Sequence, residues 1–181
     1  MWQKIKELSG RNKNSKISYP SQIINPMNNK ICSTDIYIAD GLNSYYTSIC
    51  KELTKDHPKH LSNVSTSYSE NSMYLRETTY EEVLKYINNL NPHKATGPDN
   101  ISAKSLKIIG HVIARPFSEI INNFFTKGIC PEAFKLANVI PIYKKQNKKL
   151  ASNYRPISIT SSLTKVYEKC IKTRLISFLE V

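Results

Sequence analysis

Apolar residues recur every three or four positions in several separate stretches of the chain, which is the spacing of one buried face of an α-helix. Residues 2–8 and 34–53 have this spacing and are predicted to be helical. A further helix is predicted from about 80 to 90, because Thr79 and Glu82 have the spacing of a capping box. The apolar face of the 34–53 helix contains Ile38, Leu42, Tyr45 or Tyr46, and Ile49.

The helical pattern resumes between residues 102 and 127 and is interrupted at Gly110 and Pro116. Because both residues disfavour a straight helix, the pattern predicts two consecutive helices. Gly128 is expected to end the second helix, since glycine readily adopts the left-handed backbone conformation found there.

A final helix is predicted from Ser162 onward. The chain stops at Val181 within this pattern and without a helix-ending residue, which favours a truncated sequence. The exposed side is expected to carry Lys165, Lys169 and Lys172. The predicted buried side contains Leu163, Val166, Tyr167, Cys170, Ile171, Leu175 and Phe178.

Two short runs rich in β-branched and aromatic residues, 137–145 and 154–160, flank the polar loop "QNKKLASN". They predict a β-hairpin with a long tip. Pro141 and Pro156 place these strands at a sheet edge or beside a bulge, because proline lacks the N–H that a ladder needs.

These elements indicate the α+β class, with a mostly helical N-terminal part followed by the hairpin. Residues 54–76 are polar and have no period, so we divide the chain after them. Residues 1–76 are predicted to be a linker or N-terminal extension with one or two helices. Residues 77–181 form the second predicted domain.

Metal-binding residue types lack a suitable spacing. His57 and His60 are separated by Pro58, which prevents a helical ligand pair, so an ordinary loop is expected there. The cysteines form no CxxC pair and are expected to be reduced and to pack as small apolar residues. They are Cys32, Cys50, Cys130 and Cys170.

Composition adds two expectations about location. The sequence contains no run of about 18 apolar residues, so no membrane span is predicted. Its start lacks the apolar block of a signal peptide, and an intracellular protein is therefore expected.

The positive charge is concentrated near the end of the sequence. The formal net charge is +12, and residues 141–181 contain nine Lys and Arg against two acids. Such a stretch favours a polyanion, most simply nucleic acid, through counterion release. The alternative is a merely solvated basic face in a lysine-rich composition.

The predicted hairpin brings two cations to the base of its loop, since Lys144 ends one strand and Arg155 begins the other. Lysine supplies a mobile point charge and arginine a rigid fork of donors, a combination suited to a phosphate chain. The alternative is two independently solvated cations.

Several motifs in order then resemble one family. "LNPHKATGPDNIS", followed by "GICPEAFKLANVIPIYKKQNKKLASNYRPISITSSLTKVYEKCIKTRLISFL", is similar to the N-terminal portion of reverse transcriptases from non-LTR retrotransposons. The resemblance implies that residues 77–181 form the fingers β-hairpin and the start of the palm of a right-hand polymerase. Residues 2–53 look more loosely like the segment that precedes this domain.

The resemblance also implies roles for individual residues. Lys144, in "PIYKK", and Arg155, in "NYRPIS", stand where the family's fingers residues grip the triphosphate of the incoming nucleotide. Because a second lysine follows, either Lys144 or Lys145 could be the reaching residue. The "HKATGPDNIS" loop is expected near the template, and the implied nucleic-acid contacts are Lys94, Lys148 and Lys149.

The family's catalytic aspartates lie downstream of "NYRPIS", and the four aspartates of this sequence include no adjacent pair. Asp40, in "YIAD", is expected on a helix surface and Asp99 in a turn or cap. The chain alone is thus predicted to be inactive and to hold no cofactor. The complete enzyme would use Mg²⁺, deoxynucleoside triphosphates, an RNA template and a DNA primer, together with the missing palm and thumb.

Such an enzyme would act in the nucleus or in a cytoplasmic ribonucleoprotein. Two alternatives remain open at the level of sequence. The chain could be a non-catalytic remnant that binds nucleic acid through its basic hairpin and final helix. It could also be a degenerate, inert fragment, because an isolated fingers hairpin leaves an apolar face uncovered.

Overall fold

A computed structural model describes residues 19–25, 29–55 and 73–180, apart from the side chain of Cys50. The described residues form two compact units. Among the described residues, the first unit contains 19–25, 29–55 and 140–157, and the second contains 73–139 and 158–180. The predicted helix 2–8 and the His57 and His60 loop lie outside the described residues.

The first unit is built on one helix and a small sheet. Strands β1 (Ile23–Ile24) and β2 (Ile31–Cys32) pair antiparallel, with Ile23 opposite Cys32. Helix α1 (Asp35–Leu53) follows and confirms the predicted helix. Ile38 and Leu42 are buried, which confirms this part of the predicted apolar face. The buried cluster also contains Ile23, Cys32, Ala151 and Tyr154.

Helices make up most of the second unit. They are α2 (Tyr80–Asn88), α3 (Ala103–Ile108), α4 (Gly110–Lys127), the short α5 (Glu132–Lys135) and α6 (Ser162–Leu179). Their core includes Val83 and Ile87 of α2, Ile121 of α4 and Val166 of α6, all with 0% exposure. These positions recur at helical spacing, so burial of one stripe per helix accounts for the packing.

The hairpin is observed as predicted. Strands β3 (Ala137–Tyr143) and β4 (Tyr154–Thr160) form a two-stranded sheet, and a short 3₁₀ helix (Ala151–Asn153) precedes β4. Helices with small sheets confirm the α+β class. The division into 1–76 and 77–181 stays a prediction.

The predicted helix ends are mostly confirmed. The Thr79 side chain accepts a hydrogen bond from the Glu82 N–H at 3.3 Å, at the start of α2. Ser102 caps α3 in the same way through the Ser105 N–H at 2.9 Å. Gly128 follows α4 with φ of 62°, the left-handed conformation expected of it.

The two consecutive helices predicted between residues 102 and 127 are confirmed, but one of the two predicted interruptions is wrong. The break between α3 and α4 falls at Ile109, beside Gly110 as expected, but α4 continues through Pro116. Proline leaves the carbonyl four residues earlier without its N–H partner, and this carbonyl belongs to Val112. Both Pro116 and Val112 lie on the exposed side of α4, where water can hydrate that carbonyl.

The buried side of α6 was also predicted partly wrongly. Val166, Tyr167 and Cys170 are buried as expected, whereas Leu175 is 41% exposed and Phe178 is 36% exposed. Arg174 is buried instead, with 4% exposure. The helix ends at Leu179, and the N–H of Glu180 donates to the Ile176 carbonyl at 3.0 Å.

Candidate nucleic-acid and nucleotide site

The loop between β3 and β4 concentrates positive charge. We call residues 144–155 the basic tip, because this segment contains five cations and no acid. Each of these cations is exposed, and none forms an ion pair with any of the described residues. The five are Lys144, Lys145, Lys148, Lys149 and Arg155.

Two tyrosine hydroxyl groups donate hydrogen bonds to main-chain carbonyls of the basic tip. The hydroxyl of Tyr154, which is 3% exposed, donates to the Lys148 carbonyl at 2.7 Å. The hydroxyl of Tyr143 donates to the Gln146 carbonyl at 2.6 Å. The two rings lie 5.6 Å apart between centroids, so they also pack against each other. Burial, with Tyr143 nearby, raises the pKa of Tyr154 above 10.0, which keeps its phenol a donor.

Backbone and amide bonds fix the rest of the basic tip. Asn147 accepts three hydrogen bonds. Its side chain accepts from the Lys149 N–H at 2.9 Å, and its carbonyl accepts from the Asn153 side-chain amide at 2.8 Å and from the Leu150 N–H at 3.3 Å. The N–H of Ile24 in β1 donates to the Lys149 carbonyl at 2.8 Å, and Ile24 forms a parallel bridge with Leu150. Several main-chain carbonyl groups of the basic tip thus accept hydrogen bonds from within the protein, whereas its lysine side chains are exposed to solvent.

The predicted triphosphate pair lies at one end of the hairpin. The N–H of Lys144 donates to the Asn153 carbonyl at 2.8 Å, and Arg155 follows two residues later. Both side chains are exposed, as is Lys145. The ammonium of Lys148 lies 5.6 Å from the centroid of the Tyr143 ring, a favourable placement for a cation.

Lys94 belongs to the second unit, in the loop between α2 and α3, and is exposed. A close backbone approach holds this loop: a Cβ on Gly97 would lie 2.5 Å from the Ser161 nitrogen, so only glycine fits there. Asp99 accepts from the Ile101 N–H at 3.1 Å, which confirms its predicted turn role. Asp40 is exposed on α1, as predicted.

An ion pair between a buried arginine and a partly exposed glutamate in the second unit was missed from the sequence. Arg174 and Glu82 form two bonds of 2.9 Å, and the Arg174 guanidinium also donates to the carbonyls of Arg76, Glu77 and Cys170. Burial alone would raise the pKa of Glu82, but hydrogen bonds from Arg174 and then Thr78 outweigh it and lower that pKa below 4.5. The sequence feature that could have indicated this ion pair is the position of Arg174 on the apolar face of α6, four residues after Cys170.

The tyrosine hydrogen bonds to the basic tip were also missed. Tyr143 and Tyr154 were recognised only as strand residues, and nothing in their local pattern identifies the carbonyls that they bind. Their bonds span three and six residues around a turn in which Gln146 has φ of 75°.

The described residues offer no metal centre. No group of three or more His, Cys, Asp or Glu that could hold an ion occurs within residues 19–25, 29–55 and 73–180. The same residues include no helix with the length and apolar character required to cross a membrane.

Known proteins similar to this chain come from mobile elements. It is 31% identical to the "RNA-directed DNA polymerase from mobile element jockey" of Drosophila melanogaster over 61% of this chain and 12% of that protein. It is 27% identical to the "Probable RNA-directed DNA polymerase from transposon BS" of the same fly over 76% of this chain and 15% of that protein. It is 26% identical to the "Transposon TX1 uncharacterized 149 kDa protein" of Xenopus laevis over 56% of this chain and 8% of that protein. No family model matches the chain.

The jockey and BS relatives are named as RNA-directed DNA polymerases, and this is the class of protein that the chain resembles. Within that class, the predicted resemblance to reverse transcriptases of non-LTR mobile elements is confirmed. The chain spans 12% and 15% of the length of the first two relatives described.

Proposed function

We propose that this chain is part of an RNA-templated DNA polymerase of a non-LTR retrotransposon and supplies contacts to template and nucleotide. In this proposal Arg155, with Lys144 or Lys145, grips the triphosphate of the incoming deoxynucleotide. Lys94, Lys148 and Lys149 contact nucleic-acid phosphates. Residues 77–181, with the basic hairpin, are assigned to the fingers and the start of the palm of a right-hand polymerase.

The observation that carries the proposal is that hydrogen bonds fix the main chain of the basic tip while its cations stay exposed. A merely solvated loop needs no fixed backbone, yet Tyr143, Tyr154, Asn147 and β1 all bind main-chain groups of this segment. A fixed backbone limits the entropy lost when lysine side chains close on a ligand. Five cations without an acidic partner provide the charge that phosphates require.

The reaction itself would need groups outside the described residues. Nucleotidyl transfer requires carboxylates that hold two metal ions, and the described residues do not fit a Mg²⁺ site. Template, primer and Mg²⁺ therefore belong to the proposed complete enzyme. For this chain the proposal is limited to binding and orienting phosphate groups.

The test is a salt titration of single-stranded RNA binding to the 181-residue chain. We expect the combined K144A, K148A, K149A and R155A substitutions to weaken binding and to flatten the salt dependence. The slope of log K against log salt should fall by about 0.7 for each phosphate that is no longer neutralised. The control combines K51A, K85A, K104A and K127A, which remove equal charge from exposed positions outside the basic tip.

Equal weakening by the two sets would show that only total charge matters and would overturn the proposal. Weakening confined to the basic-tip set supports it. The single substitutions K144A and K145A, measured with a deoxynucleoside triphosphate, then decide which lysine reaches the triphosphate. No effect of either, or of R155A, would remove the nucleotide part of the proposal.

A further inference from the structure

A cleft in the second unit contains three lysines that the proposed function does not use. Helix α6 places Lys165, Lys169 and Lys172 on one side, because they are four and three residues apart. Together with Glu168 and residues 89–91, which lie at and after the end of α2, they line a cleft of about 400 Å³. We call this the basic cleft.

The lysines of the basic cleft have no acidic partner among the described residues. Glu168 lies three residues after Lys165 and four before Lys172, a spacing that permits ion pairs on a helix. No such pair forms, and the ammonium of Lys169 instead lies 5.9 Å from the centroid of the Tyr86 ring. Three lysines and one glutamate therefore line a largely apolar cleft, and their summed charge stays positive, which favours an anion beside it.

Two acceptor groups on the other side of the basic cleft are occupied. The ammonium of Lys107 donates to the Leu90 carbonyl at 3.3 Å, which covers an acceptor and adds a fourth positive charge nearby. The side-chain oxygen of Asn91 accepts from the His93 N–H at 2.9 Å. The amide NH₂ of Asn91 thus remains a donor, as an anion would require.

The dimensions suit a strand of linked phosphates better than one isolated anion. From Lys165 to Lys172 the helix rises by about 10 Å, at about 1.5 Å per residue. Separate phosphates can therefore each meet a different lysine along α6.

We propose that the basic cleft binds the sugar-phosphate backbone of single-stranded RNA, as a second contact surface in addition to the basic tip. The inference rests on the proposed function in taking nucleic acid as the ligand, but it concerns different residues in the other unit. The two can therefore fail separately.

The experiment is acetylation footprinting of the unsubstituted chain, with the modification rate of each lysine measured by mass spectrometry. A twelve-nucleotide oligouridine is the probe, and tripolyphosphate at equal phosphate concentration is the comparison. We expect the oligonucleotide to slow acetylation of Lys165, Lys169 and Lys172 several-fold. Exposed Lys51, Lys104 and Lys127 serve as internal controls whose rates should not change.

Protection of the basic-tip lysines without protection of the basic cleft would overturn this inference and leave the proposed function standing. Protection of the cleft alone would support the inference and count against the basic tip. Protection by tripolyphosphate but not by the oligonucleotide would also overturn it, since the site would then select small phosphates.

Substitution provides a second measurement. The combined K165Q, K169Q and K172Q substitutions should weaken oligouridine binding by about fivefold for each lysine replaced at 0.1 M salt, or about 100-fold in all. The matched control is K51Q, K104Q and K127Q. Equal affinities for the two triple variants, with unchanged helical circular dichroism, would contradict the inference.

Discussion

In the first unit, the basic tip contains five exposed cations, and none of them has an acidic partner among the described residues. In the second unit, by contrast, Arg174 is buried and bonded to Glu82 and to three carbonyl groups. The two arrangements place basic side chains under different constraints. A buried cation must have every donor satisfied, since an uncompensated charge is strongly destabilising. An exposed cation needs no partner, and it remains available to a ligand. The comparison teaches that partners, rather than charge alone, distinguish structural from binding cations in this chain.

The largest expected effect on stability comes from removing the buried cation, Arg174. Arg174→Ala should lower the free energy of unfolding by about 3–5 kcal/mol, because it leaves the largely buried Glu82 carboxylate without its cation. Urea unfolding followed by circular dichroism measures the change. Lys172→Ala is the control on the same helix, and its effect should stay within about 0.5 kcal/mol.

The paired substitution sharpens that result. Replacing both partners, with R174M and E82L together, should restore part of the stability, since no charge is then left buried alone. A decrease in stability from R174A no larger than that from K172A would show that the Arg174 network does not hold the second unit together.

A smaller effect is expected in the loop that carries Lys94. Gly97→Ala should destabilise the chain by about 1–3 kcal/mol, because the added Cβ meets the Ser161 backbone at 2.5 Å. Gly41→Ala in the first unit is the matched control. Its Cβ would lie 3.5 Å from Ile23, an ordinary contact, and alanine favours the helix interior.

Thermal melts of the two variants give opposite signs if this interpretation is correct. The melting temperature should fall for Gly97→Ala and should rise or stay constant for Gly41→Ala. A fall of similar size in both variants would contradict this interpretation, because the close approach to Ser161 would then not distinguish Gly97 from Gly41.

The smallest effect tests whether the basic tip is held by its tyrosines. Tyr154→Phe removes the donor to the Lys148 carbonyl and should lower the free energy of unfolding by about 1 kcal/mol. Hydrogen exchange at the Lys149 amide should become faster as the loop loosens. Tyr37→Phe, at a position 63% exposed, should change neither quantity.

Unchanged exchange at Lys149 in the Tyr154 variant would mean that Asn147 and β1 fix the loop without the tyrosine. The comparison between the units would then rest on the second unit alone.

Much of the local structure was determined by the sequence itself. Apolar spacing predicted α1, the β-rich runs predicted the hairpin, and Thr79 and Gly128 marked helix ends. These features depend on residues a few positions apart, where side-chain direction and capping bonds act directly on the backbone. The same local reasoning placed Lys144 and Arg155 at the base of one loop. Their roles, and those of Lys94, Lys148 and Lys149, stay predictions.

Only the tertiary structure decided which side chains have partners. Arg174 is separated from Glu82 by 92 residues, so no local pattern could show that this arginine is buried while Leu175 is exposed. Pro116 stayed within α4 because the opposite face of that helix is packed. The basic cleft also exists only because the end of α2 lies beside α6. Local periodicity determines which face of a helix is apolar, whereas burial and pairing depend on which distant segments cover that face.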